Sequence, residues 1–80
     1  MKKWCLMRVD ISEGSDYMPK FMGMWDSFVE AKSVAISALE TFKNEMAQHD
    51  VDITVYPYHL NAYDEFNVYG WQMSIEEIEI

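Results

Sequence analysis

One segment limits the folds open to this chain more than any other. Phe28, Ala31, Ala35, Ala38, Leu39, Phe42 and Met46 recur at the three- and four-residue steps of a single helical face. Ser27-Phe28-Val29-Glu30 matches the S-x-x-E capping box that opens such a helix, in which side chain and backbone satisfy two orphan N–H groups reciprocally. Glu30, Ser33, Ser37, Glu40, Thr41 and Asn44 fall on the opposite side. The spacing therefore predicts an amphipathic helix of about five turns, beginning at Ser27 and ending near Gln48. Small residues in the middle of its stripe would let it lie close to a sheet.

Strand patterning flanks this helix. Over residues 3–11, Cys5, Met7, Val9 and Ile11 alternate with Trp4, Leu6, Arg8 and Asp10. Ser12-Glu13-Gly14-Ser15-Asp16 is turn chemistry, and a weaker strand is expected over Phe21–Trp25, with Pro19 ahead of it suiting an edge position. After the helix, Val51, Ile53 and Val55 alternate with Asp52, Thr54 and Tyr56 until Pro57. Residues 58–65 read as a loop and 66–75 as a further strand, in which Gly70 marks a bulge or a close backbone approach. The tail Ile75–Ile80 either continues that strand or frays. The order β-β-α-β-β predicts one α+β domain over residues 1–80, two layers deep, with the helix on a small antiparallel sheet. Eighty residues allow one small core, and 50% apolar residues are enough to build it despite a net charge of −8.

That charge is unevenly placed. Residues 1–43 hold all six Lys and Arg together with six carboxylates, whereas residues 44–80 hold eight carboxylates and no Lys or Arg. Six of the twelve aromatics, Tyr56, Tyr58, Tyr63, Phe66, Tyr69 and Trp71, share the acidic half. Charge asymmetry between halves marks an interaction surface, and Tyr and Trp anchor binding hot spots at low entropic cost. We therefore expect Tyr58, Tyr63, Asp64, Glu65 and Tyr69 at the centre of a partner-binding face, with Glu76, Glu77 and Glu79 at its rim. An ordinary solvated acidic surface is the alternative.

Other chemistries have weaker support. The low pI disfavours direct contact with a phosphate backbone. Stacking of bases on Trp4, Phe21 and Trp25 beside Lys2, Lys3, Arg8 and Lys20 would work against eight unbalanced carboxylates. His49 with Asp50 and Asp52, or His59 with Asp64 and Glu65, lacks the spacing of a zinc helix or a calcium loop. Gly14, Gly23 and Gly70 stand alone, so no phosphate loop is expected, and neither a nucleophile motif nor a carboxylate cleft is evident. No cofactor is expected. One cysteine permits no internal disulfide, fits a reducing cytosol, and reads as a small buried hydrophobe. The apolar run after Lys3 stops at Arg8, too short for a signal peptide or a membrane span, so a cytoplasmic protein is expected.

In size, acidity and its strand-helix-strand-strand layout the chain resembles small phage-encoded inhibitor proteins, among them anti-CRISPR proteins. The resemblance carries no motif. It implies a stoichiometric inhibitor that presents carboxylates where a host protein expects nucleic-acid phosphates. The function expected is thus non-enzymatic binding to a basic, nucleic-acid-handling surface of a larger protein. The alternative is a homodimer formed through a strand edge or through the methionines Met18, Met22 and Met24 beside Phe21 and Trp25.

Overall fold

The computed structural model describes every residue except 13, 15 and 16. Its elements are β1 (Lys2–Ile11), β2 (Lys20–Trp25), α1 (Phe28–Glu45), β3 (Asp52–Val55), β4 (His59–Tyr63) and β5 (Gly70–Glu79). The strands form one antiparallel sheet in the order β2-β1-β5-β4-β3, with α1 packed on one face, an α+β architecture. No helix among the described residues is long and apolar enough to cross a membrane.

The helix forms as the spacing predicts. Ser27 is extended and its Oγ accepts from Glu30 N at 3.1 Å. Ala31, Ala35, Leu39 and Phe42 are buried, and the two alanines, fully covered, let the backbone sit against the sheet. The helix closes at Met46, whose N–H donates to Phe42 O, so residues 46–48 are a turn rather than a last helical turn.

The face that α1 covers is the chemically mixed one. Leu6 is fully buried beneath the helix with Leu60, Ala62, Met73 and Ile75, while Trp4 packs edge-on against Phe28. Arg8 shares this face: its guanidinium lies 4.3 Å from the Trp71 ring, which stacks on Phe42. Asp10 pairs with Arg8 at 2.7 Å and with Lys20 at 3.0 Å, so these charges are matched at the sheet's margin. The all-apolar set Cys5, Met7, Val9 and Ile11 points the other way, and none of its members belongs to the core cluster.

Two expectations about the strands need correction. Residues 58–65 are not a loop, because His59–Tyr63 is β4, paired to both β3 and β5. Its alternation is short and relies on Leu60 and Ala62, with Asn and Ala weakening the strand signal. The last strand begins at Gly70, not at residue 66. Asp64, Asn67 and Tyr69 instead close a β4–β5 turn, with Asn67 at φ 56°. Of the two readings of the tail, continuation holds: Glu76–Glu79 extends β5 opposite Lys2–Cys5.

Gly70 marks a close approach, since a Cβ there would lie 2.5 Å from Ala62 O. The register shift lies in the β1–β2 pairing, where Leu6 opposes Gly23 and Met7 opposes Phe21. The extra residue, Met22, packs with the core, and β2 is an edge strand as Pro19 suggested. Of the turn expected over Ser12–Asp16, residues 13, 15 and 16 lie outside the described residues.

Candidate functional site

The eight residues expected to form one binding face are distributed over the molecule. Asp64 is buried, at 3% exposure, and its Oδ1 accepts from Val68 N at 2.8 Å and Tyr69 N at 3.2 Å. It holds the β4–β5 turn and offers no surface to a partner. Glu65 is anchored as well: Oε2 accepts from Asp50 N at 2.8 Å, and Oε1 lies 3.2 Å from His49 Nδ1. Its own backbone N–H, opposed by burial and then aided by the Asp50 N–H and His49, holds its carboxyl below the usual glutamate range. Tyr69 lies in the same turn and is exposed.

Of the other five, Tyr63 ends β4 next to this turn and four lie elsewhere. Tyr58 packs its ring 5.4 Å from Phe28 at the helix start, and its carbonyl accepts from Ile75 N. Tyr63 shares the uncovered face of the sheet with Gln72, whose Nε2 donates to the tyrosine hydroxyl. Glu76 is on that face too, opposite Cys5. Burial first, and then the Glu76 charge, push the Cys5 thiol up, so it stays protonated at neutral pH. Glu77 and Glu79 point to the helix side, where they pair with Lys2 Nζ at 2.9 Å and with the terminal amine at 3.5 Å. With about 3.3 Å of rise per residue, the ten-residue β5 keeps Glu79 about 30 Å from the Asp64 turn.

What the fold does gather is a smaller acidic end. Tertiary pairing brings Asp50 and Glu65 together and sets Asp52, at the start of β3, opposite Tyr63 at the end of β4. A shallow depression runs between Lys43, His49, Asp50, Val51, Asp52 and Glu65. Beside it the β4–β5 turn exposes Phe66 at 72% and Tyr69 at 40%. Phe66 falls inside the strand expected over residues 66–75, and Asp50 and Asp52 read only as metal-ligand candidates of the wrong spacing, so none of the three stood among the expected site residues. The turn signal was Asp64 and Asn67, both favourable in turns.

His49, Asp64 and Glu65 each offer a donor atom within 4.8 Å of the others. Within this group His49 Nδ1 lies against Glu65 Oε1, Glu65 Oε2 accepts from Asp50 N, and Asp64 Oδ1 accepts from Val68 N. His59 is not part of this group, since its ring stacks on Tyr56 at 4.4 Å. Compared with family models, curated proteins and solved structures, the chain matches none.

Proposed function

We propose that the chain is a non-enzymatic binding protein that inhibits a larger protein by occupying its basic, nucleic-acid-handling surface. It would act in the cytoplasm, in the manner of the small phage-encoded inhibitors it resembles. The contact would be made by the acidic end: Asp50, Asp52 and Glu65 around Phe66 and Tyr69. The observation that carries this reading is the exposure of Phe66, a large apolar side chain left in water on the turn that carries Glu65, whose carboxylate accepts from Asp50 N. Carboxylates steer a basic partner and set the salt dependence of the on-rate, while a desolvated aromatic anchor sets residence time. Glu76, Glu77 and Glu79 drop out of the contact, because all three lie toward the far end of β5.

The test is affinity capture with the tagged chain at about 50 and 500 mM salt, a range over which the screening length falls severalfold. A basic partner held at low salt and released at high salt is expected. Phe66→Ala should raise its off-rate, and Asp52→Lys should slow its on-rate. A partner that binds both variants as it binds the parent chain would overturn the site, and a salt-independent one the steering.

A further inference from the structure

We infer that the uncovered face of the sheet is a self-association surface, on which a second copy of this chain packs face to face. This goes beyond the acidic-end reading and does not depend on it. Strand register places the half-buried Met7, Val9 and Ile11 of β1 on this face, in one row with the buried Cys5, and Phe21 and Met24 of β2 beside them. Phe21 is 61% and Met24 45% exposed, although both flank a continuous apolar row. Toward β4 the face turns polar, with His59, Asn61, Gln72 and Ser74 bordering a groove beside Val9. Among strand residues, only Lys3, Glu76 and Asp52 bring fixed charge to it, and Lys3 is paired with Asp26. A contiguous, charge-poor apolar patch bordered by polar residues characterises protein interfaces.

Several observations select a second copy as the occupant. Both sheet edges are unsuited to adding a strand. β2 carries a register shift, Gly23 at φ 150° and Pro19 ahead of it. β3 has four residues, and just beyond it Lys32 Nζ donates to the carbonyls of Tyr56 and Pro57. Such devices blunt edge-to-edge pairing, which leaves the face.

Area agrees. Five strands at about 4.8 Å spacing, averaging about seven residues, give a face of roughly 24 by 23 Å. Two such faces bury about 1,100 Å², slightly above the ~1,000 Å² expected of a specific interface. A two-fold arrangement would stack the apolar β1–β2 half of each copy on its counterpart. At a net charge of −8 per chain, the nearly neutral face is also where two copies repel least.

The experiment is sedimentation velocity from about 5 to 500 μM at low and high salt, since dimer population follows mass action. A dimer is expected, with a dissociation constant that falls severalfold as salt screens the mutual repulsion. This sign is opposite to that of the basic-partner contact, so the two readings fail separately. Phe21→Lys and Met24→Lys should each weaken the dimer about tenfold or more. Val29→Lys, on the exposed outer side of the helix, should leave it unchanged. Circular dichroism checks that each variant folds, and either open-face variant alone suffices if the other does not. A monomer across the whole range would overturn the inference. So would a dimer indifferent to both open-face substitutions, or growth into open-ended chains, which would point to edge pairing.

Discussion

Gly70 sits where β4 and β5 leave no room for a side chain. An added Cβ would meet Ala62 O at 2.5 Å and the Tyr63 ring at 2.6 Å, and the first of these is backbone that cannot swing aside. Gly70→Ala should therefore destabilise by about 1–3 kcal/mol, the usual cost of overpacking, as read by urea denaturation. Gly23 has a different reason to be glycine: its φ of 150° is one that L side chains rarely adopt, and the Trp25 ring lies over it. Asp64 shows how residue type misleads without geometry. A carboxylate in an acidic, aromatic stretch suggests a binding residue, yet this one accepts two backbone N–H groups inside a turn. Asp64→Ala strands those donors and should cost about 2 kcal/mol. Asp64→Asn keeps an acceptor oxygen and should cost less, and thermal melts of the pair check the order.

Among the elements, α1 was the most legible, since its cap and stripe lie within one contiguous run. Ser27→Ala removes the Oγ that accepts from Glu30 N and should lower stability by about 1 kcal/mol. β4 was illegible because five residues carry too short an alternation to stand out from the turns around them. Its strand character comes from neighbours on both sides, His59–Tyr63 pairing with β3 and β5 at once. The turn after β4 is tied to the α1–β3 connection through Glu65. The folded Glu65 pKa is depressed, so its contribution is present above the unfolded value, roughly 4.3, and is lost as pH falls through the folded one. Glu65→Gln should flatten the acid limb of stability against pH below about 4.3. An acid limb identical to the parent's would show that the tie contributes nothing.

On the scale of the whole molecule, the central strands are the most securely held. β1 and β5 pair along ten successive positions, and each has a second neighbour. Their amides should exchange slowest in native-state hydrogen exchange, with those of edge strands β2 and β3 exchanging sooner. Slow exchange confined to α1 would instead place the stable core in the helix. The acidic half also separates at this scale. Glu77 lies by Lys2 at one end of the sheet and Glu65 by Asp50 at the other, though a single strand connects their segments.

The sequence by itself determined the helix and its cap, the edge position of β2, the α+β class and the asymmetry of charge. Each rests on interactions within a few residues, on helical or strand period, or on counting. Tertiary structure alone decided which face of β1 the helix covers. Alternation separates Cys5, Met7, Val9 and Ile11 from Trp4, Leu6, Arg8 and Asp10 but cannot rank them. The ranking came from partners distant in sequence: Phe28 for Trp4, Trp71 for Arg8 and Lys20 for Asp10. Those partners make the mixed face the buried one and leave the wholly apolar face open.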